Sequence, residues 1–227
     1  MMPAVIPTPR RAVALAAIVA CVLISTSAAT AQDAPPGTSD FTLGIGYAHI
    51  SVGDDDSPLD SEDAIKFDPS LTFALIPGLP QLRLGPAVGV TIVTDNSKRV
   101  IIANDGRLIV AGSSEIPLWF VQPELRLSWR QYLDPDHTIF VEPGVAAGWT
   151  YGQIELDDDE ETAADESFRQ SDWTTSARVF LRAGARVAGG YAGVEASWMR
   201  GNDLDLAANA RGNVEEFYIG VYGALAF

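Results

Sequence analysis

Between Phe41 and Phe227 the chain repeatedly alternates apolar with small or polar residues at period two, the mark of strands whose two faces meet different surroundings. The clearest run closes the chain. Over residues 216–227, Phe217, Ile219, Val221, Leu225 and Phe227 share one face, and Tyr218, Gly220, Tyr222, Ala224 and Ala226 share the other. Such a run is long enough for a tilted strand to cross the hydrocarbon layer of a bilayer.

Seven further runs come before it. The first sets Phe41, Leu43, Ile45 and Tyr47 against Thr42, Gly44, Gly46 and Ala48; the second, from about Phe67, sets Leu71, Phe73 and Leu75 against Ser70, Thr72 and Ala74. In the third, Leu82, Leu84, Pro86, Val88, Val90 and Ile92 oppose Arg83, Gly85, Ala87, Gly89 and Thr91. The fourth opposes Val121, Pro123, Leu125, Leu127 and Trp129 to Gln122, Glu124, Arg126, Ser128 and Arg130. In the fifth, Ile139, Val141, Val145, Ala147, Trp149 and Tyr151 face away from Glu142, Gly144, Ala146 and Gly148. The seventh carries Ala192, Val194, Ala196 and Trp198 on one face and Glu195 on the other.

The sixth run decides which face is which. Arg178, Arg182 and Arg186 share one side, and Ala177, Val179, Leu181, Ala183, Ala185 and Val187 the other. One arginine facing lipid at the bilayer midplane costs about 2–4 kcal/mol, so three would cost roughly 6–12. The arginines must therefore face inward and the oily row outward.

The connections alternate in length. Long ones at 53–66, 94–115 and 156–171 and a moderate one at 200–214 are separated by short turns at Pro77-Gly78, Asp134-Pro135-Asp136 and Gly189-Gly190. This is the layout of an all-β, eight-stranded antiparallel up-and-down transmembrane barrel, with both chain ends on the side of the short turns. Tyr47, Phe67, Trp119, Trp149, Tyr151, Trp173 and Trp198 fall near the opposite rim, as an aromatic girdle would. Pro86, Pro123 and Pro143 lie inside strands, where a closed barrel offers no edge for a missing N–H, so bulges or irregular pairing are expected there.

Composition adds the route to the membrane. Residues 1–31 carry Arg10 and Arg11, an apolar run over 12–24 and small residues ending Ala29-Thr30-Ala31, the layout of a cleaved signal peptide. The run is too short for a spanning helix. A lipoprotein box at Ile18-Val19-Ala20-Cys21 is disfavoured because Val22, Leu23 and Ile24 continue the apolar run. Cleavage removes two arginines and no acids, taking the formal charge from −15 to −17, and removes Cys21, the one cysteine. Residues 32–40, with Pro35-Pro36-Gly37, then form a flexible leader, and the barrel spans 41–227. So acidic a chain lacks the basic face that phosphate binding needs, which excludes nucleic acid as a partner.

The alternating strands, acidic outer connections and terminal Phe227 together resemble the small outer-membrane β-barrels typified by the OmpA transmembrane domain and OmpX. The resemblance implies the outer membrane of a Gram-negative type bacterium, contact with outer-membrane lipid, and insertion by the barrel assembly machinery. It also implies that Phe217, Ile219, Val221, Leu225 and Phe227 serve as the C-terminal assembly signal. Such barrels act as anchors, adhesins, narrow pores or, in a few cases, enzymes, and fold alone does not choose.

The inward charges are Arg83, Glu124, Arg126, Arg130, Glu142, Arg178, Arg182, Arg186 and Glu195. An eight-stranded barrel is only wide enough for side chains to fill, so these are expected to pair and plug the lumen, with Arg130 and Glu142 close to cross-strand partners. Arginine outnumbers glutamate in this set; the surplus must be solvated, reach loop acids or bind an anion. His49, near Asp54, is the one histidine placed where barrel hydrolases keep theirs, but no serine accompanies it at a recognisable spacing. Asp54-Asp55-Asp56 and the acidic run at 157–161 lack a calcium-loop pattern. No catalytic centre, cofactor or metal is expected. Val100-Ile101-Ile102-Ala103 and Arg107-Leu108-Ile109-Val110 flank Asn104-Asp105-Gly106, a hairpin signal that projects a ribbon and offers an extracellular partner a surface within 94–115. The expected function is structural or surface-interactive. The alternatives are a narrow pore or a route for small or hydrophobic compounds, and a secreted soluble barrel with its faces inverted around a ligand.

Overall fold

The computed structural model of the chain describes residues 39–53, 57, 59, 62–76, 78–94, 99–102, 108–112, 118–156, 168–208 and 210–227. The signal peptide at 1–31, the leader as far as residue 38, the Asn104-Asp105-Gly106 turn and the acidic runs at 54–56 and 157–161 lie outside the described residues.

Eleven strands follow in order: β1 (Ser39–Val52), β2 (Glu62–Ile76), β3 (Leu79–Val93), β4 (Arg99–Ile102), β5 (Leu108–Gly112), β6 (Leu118–Trp129), β7 (Gln131–Tyr132), β8 (Ile139–Leu156), β9 (Phe168–Val187), β10 (Gly190–Ala207) and β11 (Ala210–Ala226). The antiparallel ladder runs β6-β3-β2-β1-β11-β10-β9-β8, and β6 also pairs with β8, which closes the cylinder. The two-residue β7 continues β6 beyond Arg130 along β8. Eight walls result. Among the described residues β4 and β5 pair only with each other, as a separate two-stranded ribbon.

The register gives the dimensions. Stepping from Thr42 through Ser70, Ala87, Glu124, Gly148, Ser176, Gly201 and Val214 returns to β1 at Val52, ten residues along the strand. With about 3.3 Å per residue and about 4.8 Å between strands, that stagger tilts the strands by roughly 40° and sets the wall about 8 Å from the axis. Facing side chains therefore meet across the middle. The two ends of the cylinder wall are joined by Ser39 N–H to Phe227 O at 3.2 Å and Phe227 N–H to Ser39 O at 2.9 Å.

The short connections gather at one end. Gly78 and Gly189 take positive φ values of 87° and 79°, which let β2 and β9 reverse tightly. The third turn is held by the Asp134 carboxylate, which accepts the Thr138 and Ile139 amides at 2.9 and 2.7 Å and the Thr138 hydroxyl. The longer connections lie at the other end.

Outward rows are oily. Leu125, Val145, Val179, Leu181, Val194, Ile219 and Val221 each leave about half their surface exposed. The outward rows at 139–149, 177–187 and 217–227 each span ten residues, about 25 Å along the axis at this tilt, the height of a transmembrane barrel's apolar band. Among the described residues no helix is long and apolar enough to cross a membrane.

Four expectations narrow or change. At the prolines, of bulges or irregular pairing, it is irregular pairing without bulges that occurs: Pro86 stands opposite Leu125, Val88 opposite Pro123 and Pro143 opposite Leu181, in unbroken register, while the ladder thins. Between Phe67↔Val90 and Phe73↔Leu84 the only bridge is Ser70↔Ala87, and β6–β8 bridging skips from Val121↔Tyr151 to Glu124↔Gly148. Each proline removes one N–H and its neighbours hold the alignment. Second, β1 starts at Ser39, so Asp40 belongs to the wall rather than to a leader. Third, β2 starts at Glu62, five residues earlier than the apolar pattern indicated. Fourth, the stretch from Arg200 to Val214 continues β10 and β11 as a hairpin in which Ala207 pairs with Ala210, with register shifts between Gly201 and Leu204 and between Asp205 and Ala207.

Candidate functional site

Inward positions on adjacent strands stack polar side chains into one layer midway along the lumen. β2 supplies Lys66 and Asp68, β3 Arg83 and Thr91, β6 Gln122, Glu124, Arg126 and Ser128, β8 Glu142, β9 Arg178 and Arg182, β10 Glu195 and Ser197, and β11 Glu216; all are buried. Asp40 of β1, and Arg130 between β6 and β7, complete it at the turn end.

The nucleus on the loop side is Glu216. Its carboxylate accepts Lys66 Nζ at 2.6 Å, Thr91 Oγ1 at 2.7 Å, Gln122 Nε2 at 2.9 Å and Arg178 Nη1 at 3.0 Å. Lys66 also donates to Gln122 Oε1 at 2.5 Å. Arg178 links outward from there, to Glu124 Oε2 at 3.0 Å and Ser197 Oγ at 3.0 Å.

Glu124 passes the chain on to Arg126 Nε at 2.6 Å, and Arg126 reaches Asp68 Oδ1 at 2.7 Å. Arg182 Nε donates to Glu195 Oε2 at 2.7 Å and its Nη1 lies 4.0 Å from Glu142 Oε1. At the turn end, Arg130 Nε donates to Glu142 Oε2 at 2.6 Å, and Asp40 Oδ2 lies 2.8 Å from both Arg130 Nη1 and Arg83 Nη2. Six cations thus face six carboxylates. Unpaired, any one of them in this low-dielectric interior would carry a desolvation penalty of several kcal/mol, so the set holds only as a connected whole.

Apolar closures lie on both sides of the layer. Toward the loops, Ile50, Val52, Leu59, Phe120, Ile154, Met199, Leu204, Leu206 and Val214 form one buried cluster. Leu59 is drawn in by its carbonyl, which accepts the Val52 amide at 2.7 Å. Toward the turns, Phe140, Tyr191 and Tyr222 form a second cluster, with Tyr132 packed on it. The Arg130 guanidinium sits 4.5 Å from the Phe140 ring and 4.7 Å from that of Tyr191, tying this floor to the charged layer.

Of the nine inward charges read from the pattern, eight meet in the layer. The ninth, Arg186, is half-buried near the turn end. The arginine surplus disappears because the pattern missed Asp40, Lys66, Asp68 and Glu216. Glu62, Ala64, Lys66, Asp68 and Ser70 do alternate with Asp63, Ile65, Phe67 and Pro69, but so acidic a stretch also reads as a loop. With Glu62 also buried in the inward row beyond Lys66, no cationic surplus remains, and the anion-site reading loses its basis. Outward, Phe217, Ile219, Val221 and Phe227 line β11 and the chain end at 49%, 53%, 58% and 66% exposure, with Leu225 half-buried in the same row.

His49 sits on the outer wall near the loop end, its Nδ1 3.3 Å from Asp63 Oδ1, which also accepts the Tyr47 hydroxyl at 2.5 Å. Asp54, its expected neighbour, lies outside the described residues. His137 stacks on Tyr132 in the third turn, with ring centroids 4.6 Å apart. Among the described residues no group of three or more His, Cys, Asp or Glu side chains is placed to hold a metal ion.

A closed, tilted, eight-stranded cylinder with an oily exterior and an ionic interior is the fold of the small outer-membrane β-barrels, and this chain has it. Comparison with solved structures gives the same fold. Neisserial surface protein A (NspA) superposes with a TM-score of 0.55 at 9% identity, covering 86% of this chain and 100% of that one. The N-terminal β-barrel domain of Pseudomonas aeruginosa OprF gives 0.44 at 10% identity, covering 84% of this chain and 100% of that one. Ail, the attachment invasion locus protein of Yersinia pestis, gives 0.43 at 14% identity with the same coverage of each chain. No protein-family model and no curated protein sequence matches the chain.

Proposed function

We propose that the protein is a closed barrel of the outer membrane of a Gram-negative type bacterium, acting as a structural element and presenting its loop end to surface partners. One observation carries this reading: the lumen is filled by a charge-balanced layer and sealed by apolar side chains on both sides of it. An ion entering from the loop end must pass the buried cluster that includes Leu59, Phe120, Leu204 and Leu206, where little compensates its desolvation. The outward oily band, about 25 Å tall, supports a bilayer as its surroundings. The β4–β5 ribbon and the 94–115 connection around it are the surface offered to a partner.

Each carboxylate of the layer is engaged by a cation, which supports a structural part for the layer. Membrane fractionation with gel mobility before and after boiling tests the membrane reading, since a folded barrel in SDS migrates differently until heated. Planar-bilayer conductance of the refolded protein tests closure. The expected trace stays at leak, and reproducible steps above it would favour a narrow pore instead.

A further inference from the structure

We propose that the hairpin of β3 and β6 is a hinged unit of the barrel, which parts from its neighbours ahead of the other walls and carries the β4–β5 ribbon with it. The inference rests on the membrane reading above and adds a moving element to it. Across the spanning stretch most ladders are continuous. β1–β2 runs unbroken from Ser39↔Phe73 to Ile50↔Glu62, β1–β11 from Asp40↔Ala226 to Val52↔Val214, and β8–β9 from Ile139↔Ala185 to Leu156↔Phe168. β10 is paired on both sides at every residue from Gly190 to Gly201. The hairpin itself is as regular, from Leu82↔Trp129 to Ile92↔Trp119. Among the described residues the mid-membrane gaps fall on its two flanks: β2–β3 on either side of Ser70↔Ala87, and β6–β8 between Val121↔Tyr151 and Glu124↔Gly148.

Prolines place the gaps. Pro69 stands opposite Leu43 in the continuous β1–β2 ladder, Pro86 opposite Leu125 and Pro123 opposite Val88 within the hairpin, and Pro143 opposite Leu181 in the continuous β8–β9 ladder. The N–H that each lacks therefore falls on its other side, which for Pro69 and Pro86 is the β2–β3 flank and for Pro123 and Pro143 the β6–β8 flank. A carbonyl left without its donor inside lipid finds no water, so these flanks are the weak seams of the wall. Side chains span them instead. Asp68, in the β2 gap, accepts Arg126 of β6 at 2.7 Å. Gln122, in the β6 gap, donates to Glu216 at 2.9 Å and accepts Arg178 at 2.7 Å, while Thr91 of β3 donates to Glu216 at 2.7 Å. The charged layer is the latch. The hairpin stays tethered at the turn end, through the Gly78 turn to β2 and the Asp134 turn to β8, which puts the hinge there. Parting it draws Thr91 and Gln122 off Glu216, so a partner that engages the ribbon acts on the lumen plug.

The test is amide hydrogen exchange of the full-length mature chain refolded in lipid micelles, resolved by NMR. Amides bonded across the β2–β3 and β6–β8 flanks should exchange at one common rate, at least about tenfold faster than those bonded across β9–β10 at the same depth, as expected of a unit short of one or two net hydrogen bonds. Pro86→Val with Pro123→Val returns one donor to each flank and should slow that common rate at least about fivefold. Thr91→Val removes a contact of the latch and should speed it about fivefold while leaving β9–β10 unchanged. Pro123→Val alone serves if the double variant does not show the barrel's heat-modifiable mobility. Flanks that exchange no faster than β9–β10, flanks that exchange at unrelated rates, or rates indifferent to these variants overturn the hinged unit while leaving the membrane reading standing. Failure of the native chain to form a barrel in micelles overturns the membrane reading, and the hinged unit with it.

Discussion

Removing Glu216 should be more destructive than removing its partner Lys66, because the two hold unequal shares of the layer. Lys66→Met takes away two charge-assisted bonds but leaves the Glu216 carboxylate with Thr91, Gln122 and Arg178. Glu216→Leu takes an acceptor from four donors at once, one of them a fully buried ammonium left with only Gln122 Oε1 at 2.5 Å. Breaking a buried ion pair costs about 3–5 kcal/mol. The lysine variant belongs near the lower figure, about 3 kcal/mol, and the glutamate variant near the upper, about 5 kcal/mol. The double variant has no uncompensated ammonium, so it should lose about 5 kcal/mol rather than the roughly 8 of a simple sum, a coupling of about 3 kcal/mol. Urea unfolding of the refolded protein in lipid vesicles, followed by tryptophan fluorescence, measures all four states. A glutamate variant milder than the lysine variant, or a coupling under about 1 kcal/mol, would refute a connected layer centred on Glu216.

Three further outcomes are expected. Leu181→Arg, on the lipid face beside the inward Arg182, should destabilise the barrel by about 2–4 kcal/mol in the same assay; no measurable loss would mean that this face does not meet lipid. The Asp134 carboxyl is held below its ordinary 3.8 by the Thr138 hydroxyl and the Ile139 and Thr138 amides. Its ionised form is therefore the one the turn favours, and this contribution is complete above about pH 4 and lost as pH falls through the depressed value. The amide resonances of Thr138 and Ile139 should shift together in that acid range, and Asp134→Asn should abolish the titration. Deleting residues 98–111 should leave the heat-modifiable mobility intact, since among the described residues β4 and β5 pair only with each other. If the same deletion leaves cell adhesion and partner capture untouched, the ribbon is not the interaction surface.

Strand number, topology and the sense of each face were legible because a two-residue period survives wherever lipid lies on one side. Arg178, Arg182 and Leu181 settle that sense through the cost of a charge in hydrocarbon. The loop end was less legible because the constraint vanishes above the membrane. There the outward row turns polar, as at Arg200, Asn202 and Arg211, while Leu204, Leu206 and Val214 go inward; two register shifts scramble the period, and the stretch imitates a loop. Lys66 and Asp68 were hidden for a related reason, since charge inside a filled barrel looks like charge in water. Asp40 stands next to Phe41 at the first turn of the pattern, where no earlier residue establishes a phase. The apolar seal could have been found from Ile50 and Val52, which continue the inward row of β1 after Ala48 and change its character from small to oily.

The central claim is the sidedness of the walls, and the mature chain, expected to lack cysteine, suits a direct test by single spin labels in lipid vesicles. Labels at positions 179, 181 and 183 of β9 and 194 of β10 should be highly accessible to oxygen dissolved in the hydrocarbon, and labels at 180 and 197 accessible neither to oxygen nor to a water-soluble nickel reagent. Oxygen accessibility at 180 and 197 equal to that at 181, or nickel accessibility exceeding oxygen accessibility along the outward row, would contradict a closed barrel set in lipid.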